Sequence, residues 1–363
     1  MRINRLALRN FRNHAATDIA PDPALTLVTG PNGHGKTNLL EAIDLLCGRR
    51  SFRGAQPADL IGPAGRPAAA TVRAEVERHG RVAEVALRVA AGEPTRATVN
   101  GNAVKRLADL ADTVATVVFT PADLALVQGS PSNRRDLLDE LGAADREYRR
   151  RRVDLDRILR QRNNLLKHSR RRLDDEAACT LDVWDAQFAD CAEYLGAARA
   201  ELVGRLRPAV GEYYDRVAGA AAGTTLEYRA PWRGSAAAAL AAARADDLRR
   251  GVSTVGPHRD DVALGVDAMP AATHCSQGEQ RSLALALRLA QHRLLSETFD
   301  DPPVVLLDDV FSELDHDRAR NLVGCLPDCQ TVVTSATGTL PAAAAERMRA
   351  GTRIELRHGA VQS

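Results

Sequence analysis

Over the first 120 residues the apolar positions fall mostly two apart. INRLALRNF, ALTLVTG, AATVRAEVER, RVAEVALRVA and TVATVVFT are short runs of valine, threonine and alternating apolar residues, bounded by Gly, Pro or Asn, and they predict β-strands. GEPTRATVNGNAV carries an Asn-Gly step and predicts a hairpin. Between the second and third runs the period changes: Leu39, Leu40, Ile43 and Leu46 are spaced for a helix, which Gly48 closes. Past Pro121 no strand pattern appears from about 132 to 217, and Leu155, Ile158, Leu159, Leu165 and Leu166 recur at three and four, as in long amphipathic helices. GSAAAALAAARADDLRRG is alanine-rich and reads as helix or tether. Strand signals return at DDVALGV, PPVVLLDDV, TVVTSAT and TRIELRHG; the unbroken VVLL predicts a strand buried on both faces of a sheet with parallel strands. Strand-rich ends thus enclose a helical middle. The expected fold is α/β, one lobe of mixed sheet and helices built from residues 1–120 and 295–363, with a mainly helical lobe, 121–294, inserted.

Composition narrows this without redirecting it. A chain of 363 residues suits two domains or one domain with a large insertion, and 45% hydrophobic with 26% charged residues is ordinary for a globular protein. No apolar run approaches a membrane span of about 20 residues, and MRINRLALRNF lacks a signal-peptide core, so a cytoplasmic protein with no membrane partner is expected. None of the six cysteines forms a Cys-Xaa-Xaa-Cys pair; Cys325 and Cys329 could share a helix face, but no adjacent histidine or third thiol completes a zinc set. The net charge of +2 makes no case for a polyanion partner, so any basic surface is local. Residues 145–172 hold twelve basic and four acidic side chains, either a solvated helix face or a nucleic-acid contact.

Three stretches carry chemistry. In ALTLVTGPNGHGKTNLLEAI a strand, a loop and a helix surround Gly30-Pro31-Asn32-Gly33-His34-Gly35-Lys36-Thr37, which fits the phosphate-loop spacing at every fixed position. Glycines let backbone N–H groups wrap phosphates, Lys36 places a compact charge on the β and γ oxygens, and the Thr37 hydroxyl suits Mg²⁺. Lys36 is the sole lysine of the first hundred residues in a chain that otherwise uses arginine. In PPVVLLDDVFSELD a buried strand delivers two carboxylates, Asp308 for the metal and Asp309 for the attacking water. HCSQGEQR opens a helix with a hydroxyl and a glycine, a place for an anion at Ser276.

GPNGHGKT, SQGEQR and LLDDVFSELD, in that order, resemble the ABC/SMC-like ATPases. LALRNFRNH, SFRG, FTPADLALVQGSPSNRRDLLD and VGPHRDDVAL are similar to stretches of the RecF family within them, so the resemblance covers nearly the whole chain. It implies an ABC-type P-loop lobe with ATP and Mg²⁺ as cofactors, and nucleotide contacts from the loop through Asn38. It also implies a homodimer in which Ser276, Gln277, Gly278 and Glu279 of one copy cover the nucleotide of the other, with Ser312 to Asp315 linking the sites. Arg12 and Asn13 match family positions near the nucleotide or cap a strand end, and Gln128 is a candidate for the glutamine between lobes. Function follows as ATP-dependent DNA binding, to duplex and to single-strand/double-strand junctions, in gap repair, with loading of the RecA recombinase alongside RecR and RecO.

Two departures stand out. Asp309 occupies the place where cassette ATPases carry a longer Glu, which implies weak hydrolysis. TVVTSATG holds no histidine, leaving Thr334, Ser335 or Thr337 to sense the γ-phosphate. Gly256 to Asp261, GPHRDD, is either a polar loop or a coupling element. A transporter's nucleotide-binding subunit shares the phosphate loop and signature but not the basic helical insertion. A long-armed SMC-like ATPase needs more than the under-100-residue helical middle, which lacks sustained heptads.

Overall fold

The computed structural model describes residues 1–63, 69–169, 173–336, 338, 340, 342–348 and 351–362. They form two compact units, one of Met1–Leu124, Glu212–Ala222 and Gln277–Ser363, the other of Ala125–Gly211 and Gly223–Ser276. The chain runs through β1 (Arg2–Phe11), β2 (His14–Ile19), β3 (Leu25–Thr29), α1 (Lys36–Leu45), β4 (Ala69–Arg78), β5 (Arg81–Ala90), β6 (Arg96–Val99), β7 (Asn102–Ala103) and β8 (Thr116–Phe119). There follow α2 (Leu124–Gln128), α3 (Pro131–Gly142), α4 (Arg146–His168), α5 (Asp175–Ala218), β9 (Thr224–Arg229), α6 (Ala236–Arg250), β10 (Asp261–Val266), β11 (Met269–Pro270) and α7 (Ala271–His274). The last stretch comprises α8 (Gln277–Phe299), β12 (Val304–Asp308), α9 (His316–Cys325), β13 (Thr331–Ser335), α10 (Ala342–Met348), β14 (Thr352–Arg357) and β15 (Ala360–Gln362).

The first unit holds two six-stranded sheets. One is antiparallel, in the order β2-β1-β4-β5-β6-β7, and its strands alternate buried and exposed positions as the sequence period requires. Its β6–β7 turn is the Asn-Gly step, with positive φ at Asn100 (50°) and Gly101 (79°), the type I′ geometry that fits strand twist. The other has the order β15-β14-β3-β13-β12-β8, parallel throughout except for the β14–β15 hairpin. Every residue of β3, β12 and β13 is buried, which is why these runs are continuous rather than alternating. Leu39, Leu40 and Ile43 of α1 share one core with Val28, Leu306 and Val332 of the parallel sheet and with Leu6, Leu8 and Val85 of the antiparallel one. That core fixes the helix that follows the phosphate loop.

The second unit packs Leu155 and Ile158 of α4, Phe188 and Leu195 of α5 and Leu240 of α6 into its own cluster, beside a small sheet ordered β11-β10-β9. The alanine-rich stretch is helix α6, capped by the Ser235 hydroxyl and closed by Gly251 at φ 69°. The boundary expected at 294 falls inside α8, which is one continuous helix grouped with the first unit. Its residues 282–287 are buried without a break, and it packs on β8 and α9. A helix buried on every side shows no amphipathic switch that would mark a boundary.

Candidate functional site

The phosphate loop joins the C-terminal end of buried β3 to the N-terminus of α1. Gly35 stands at the helix start with φ 104°, and a Cβ there would lie 2.7 Å from the Asn13 amide and 2.8 Å from His14 Nε2, so glycine is required. Lys36 Nζ donates to the carbonyls of Gly30 (2.6 Å) and Pro31 (3.0 Å), which lays the ammonium across the mouth of the loop. Burial lowers its pKa, and the carboxylates of Asp309 and Asp308 act against that shift. Pro31, Asn32 and Gly33 form the exposed tip.

The loop is braced from two directions. Asn38 donates to Asn13 Oδ1 (2.8 Å), Asn13 reaches the carbonyl of Gly33 (3.4 Å), and Arg53 donates to Asn38 Oδ1 (2.8 Å). Buried His14 sets Nε2 3.0 Å from the Gly35 carbonyl and Nδ1 2.9 Å from the Gly359 carbonyl in the β14–β15 turn. Gly359 N–H in turn donates to the His34 carbonyl (3.0 Å), and the rings of His34 and His358 lie 4.3 Å apart. Burial lowers the His14 pKa, opposed by those two carbonyls.

β13 lies between β3 and β12, so one strand separates the phosphate-loop strand from the strand that ends in carboxylates. Thr37 Oγ1 donates to Asp308 Oδ1 at 2.9 Å, joining the helix start to that strand end. Burial raises the Asp308 pKa; the Thr334 and Thr37 hydroxyls pull the other way. Asp309 follows at φ 50° and ψ 28°, half-buried and in the left-handed region. A hydroxyl and a carboxylate meeting beside a phosphate loop fit Mg²⁺, a hard cation that takes one or two protein oxygens and fills its shell with phosphate and water.

Ser276 and Gln277 are exposed at the start of α8, with Gly278 and Glu279 half-buried behind them. Within the first unit, Arg281 donates to Glu313 Oε2 (2.7 Å), and Arg318 Nε donates to Ser282 Oγ (3.1 Å), whose hydroxyl donates to the Gly278 carbonyl (3.0 Å). The start of α8 and the Ser312–Asp315 segment are therefore fastened together, a link carried by the arginines at 281 and 318 that spacing alone did not reveal.

Other expected residues stand elsewhere. Arg12 is not directed at the phosphate loop: Nε and Nη2 grip the Glu41 carboxylate at 2.9 and 2.8 Å, and Nη1 donates to the Asp59 carbonyl (2.9 Å). Glu41 lies on the buried side of α1, so Arg12 anchors that helix. Gln128 closes α2. Ser335 Oγ accepts from Gly338 N–H (3.1 Å), and Thr337 lies outside the described residues.

GPHRDD is a fastener of the second unit. Fully buried Asp260 accepts from Arg199 Nη1 (2.7 Å) and the Tyr228 hydroxyl (2.6 Å), and Asp261 accepts two bonds from Arg134 (2.7 and 3.1 Å). The arginine-rich run of α4 is likewise partly internal: Arg162 is fully buried between Asp185 (2.6 Å) and Asp247 (2.7 Å), and Arg152 pairs with Asp139 (2.7 Å).

A phosphate loop after one buried strand, a carboxylate at the end of another two places away, and an exposed polar helix start define an ABC-type ATPase lobe carrying a helical insertion. The family model "RecF/RecN/SMC N terminal domain" matches residues 2–358. The chain is 41% identical to the DNA replication and repair protein RecF of Frankia alni, covering 93% of each, and 38% identical to that of Streptomyces avermitilis, covering 100% of each. Among solved structures it is similar to the recombination mediator protein RecF-ATP of the RecFOR pathway, with a TM-score of 0.88 at 25% identity over 99% of this chain and 96% of that one. An Smc head bound to the C-terminal winged-helix domain of ScpA shares the fold, with a TM-score of 0.56 at 15% identity over 100% of this chain and 96% of that one. The chain belongs to the RecF family of DNA replication and repair proteins.

Proposed function

We propose that the chain is an ATP-dependent DNA-binding protein of recombinational gap repair, in which ATP pairs two copies on DNA and slow hydrolysis releases them. The observation that carries this reading is the meeting of the Thr37 hydroxyl and the Asp308 carboxylate at 2.9 Å beside Lys36, while Ser276 and Gln277 stand exposed. One phosphate loop lies within the chain, and the polar start of α8, exposed at Ser276 and Gln277, is of the kind that suits a phosphate brought by a second copy.

Gly30 to Asn38 wrap the phosphates of ATP. Lys36, already desolvated, exchanges its two carbonyl partners for phosphate oxygens. Thr37 and Asp308 would hold Mg²⁺, which would supply neutralisation of phosphate charge. Asp309 orients the attacking water; being one methylene shorter than glutamate, it makes the enzyme a switch more than a fast ATPase. The Ser276 to Glu279 turn of a second copy closes over the γ-phosphate, with the dipole of α8 favouring the anion. DNA, duplex or at single-strand/double-strand junctions, meets the exposed arginines of α4. The similarity to a recombination mediator RecF of the RecFOR pathway supports a place in that pathway; RecR and RecO as partners and loading of the RecA recombinase as the outcome are part of this proposal.

Light scattering with and without ATP tests the pairing. Wild type is expected to double in mass with ATP, whereas Lys36→Ala and Ser276→Arg stay monomeric, and Ser276→Arg still binds nucleotide. Ordinary ATP-dependent dimers of Ser276→Arg would remove the shared site.

A further inference from the structure

Thr334 lies on β13, the strand between the phosphate loop and the carboxylates, in register with Val28 of β3 on one side and Asp308 of β12 on the other. Its side chain is essentially inaccessible, with the residue 1% exposed. A valine would fill that space as well, and a hydroxyl buried there has to be satisfied. It is satisfied on both sides of one peptide. The hydroxyl donates to Asp308 Oδ1 at 2.9 Å and accepts from the Asp309 N–H at 2.9 Å. One proton and one lone pair thus clasp consecutive aspartates.

That grip falls where the backbone is unusual. Asp309 is a non-glycine residue in the left-handed region, a conformation that persists only where the surroundings over-determine it. The surroundings here include three hydrogen bonds: Thr334 takes the N–H of Asp309, and its carbonyl accepts from the Ser312 hydroxyl at 2.7 Å and from the Ser312 N–H at 3.3 Å. With both ends of the residue held, the direction of its Cα–Cβ bond is fixed, and so is the reach of its carboxylate. The same bonds tie the Thr334 hydroxyl to the Asp308-Asp309 pair.

We infer that Thr334 is a positioning residue for hydrolysis: it acts through the backbone of Asp309, holding the short carboxylate at the place where the attacking water is oriented. This rests on the ATPase reading above. A short carboxylate on an unrestrained turn sweeps a volume; on a clamped turn it occupies one place, and misplacement by about 1 Å costs on the order of 100-fold in rate.

Three variants separate the hydroxyl from the packing: Thr334→Val keeps the shape, Thr334→Ser keeps the hydroxyl, and Thr334→Ala removes both. Three readouts apply: single-turnover ATP hydrolysis, nucleotide affinity in EDTA, and amide hydrogen exchange of the peptide spanning Val304 to Asp315. Expected for Val and Ala are a fall in turnover of about 10- to 100-fold, metal-free affinity within about twofold of wild type, and faster exchange at Asp309; Ser restores turnover and protection. If the Val variant does not fold, the Ser and Ala pair, which differ by the hydroxyl alone, decides the same question. Equal turnover and exchange in Ser and Ala, or wild-type behaviour in Val, overturns the inference. A wild-type chain without Lys36-dependent turnover would instead sink the ATPase reading, and exchange at Asp309 would still decide whether the grip exists.

Discussion

At the scale of single residues, the chemistry-bearing side chains were legible wherever a fixed spacing exposes them. Gly30 to Thr37 and the Asp308-Asp309 pair sit where strand, loop and helix signals place them. Residues acting through long-range contacts were not legible: Thr334 meets Asp308 across 26 positions, and Arg199 meets Asp260 across 61. His292 belongs to that second kind. It is buried in α8 with Nε2 3.0 Å from the Pro303 carbonyl, and burial pushes its pKa down to about 4 from 6.5. A depressed histidine is neutral in the fold and takes up a proton first in the unfolded chain. Its contribution is therefore fully present above pH 6.5 and is lost as pH falls from there through about 4. A difference of this size amounts to roughly 3 kcal/mol. His292→Gln should flatten the loss of stability on acidification across that window by about this amount, read from denaturant midpoints at successive pH values. His258 in the second unit is also lowered to about 4, so part of the dependence should remain. A pH profile identical to wild type would remove the assignment.

Among elements, strands and helices followed from periodicity, but what they brace did not. TRIELRHG reads as a strand, and the structure makes the β14–β15 hairpin it opens part of the phosphate-loop support. Its turn meets the loop at Gly359 N–H to the His34 carbonyl, and it meets β2 through His14 and Thr17. No local pattern announces such a contact, because it depends on β14 pairing parallel to β3, some 325 residues earlier. The clasp can be tested with two glycines of nearly equal φ. Gly359 has φ 78° and a Cβ there would meet the Asn13 carbonyl oxygen at 2.1 Å; Gly101 has φ 79° and open space around it. Gly101→Ala should cost about 1 kcal/mol, the strain of a side chain in the left-handed region. Gly359→Ala adds overpacking of about 1–3 kcal/mol and should also displace the turn from the loop. Weaker ATP binding in Gly359→Ala and unchanged binding in Gly101→Ala is the expected result by calorimetry. Equal affinities would mean the hairpin merely caps the sheet.

For the whole molecule, DNA affinity depends on how much basic surface one copy can offer a polyanion. The twelve-to-four excess of residues 145–172 overstates it, because periodicity does not show which arginines are drawn inward. Arg149 and Arg162 are buried, and Arg151 and Arg152 are held by Glu147, Asp190, Asp139 and Asp156. The exposed basic residues of α4 are Arg146, Arg150, Arg157, Arg160 and Lys167. Surface pairs such as Arg150 with Glu147 are weak enough for phosphate to displace. One copy can then neutralise about five phosphates from this helix, and log affinity should fall against log salt with a slope of about −4 to −5. If ATP sets two copies on one duplex, the counterions released double, and the slope should steepen to about −9. Fluorescence anisotropy on a duplex oligonucleotide, titrated between about 50 and 200 mM salt with and without ATP, reads this directly. The Ser276→Arg chain serves as the control that binds nucleotide without pairing, and its slope should stay shallow in ATP. A slope that ATP leaves unchanged in wild type would mean that a single copy makes all the contacts, and ATP would then have to act on DNA affinity without assembling a dimer.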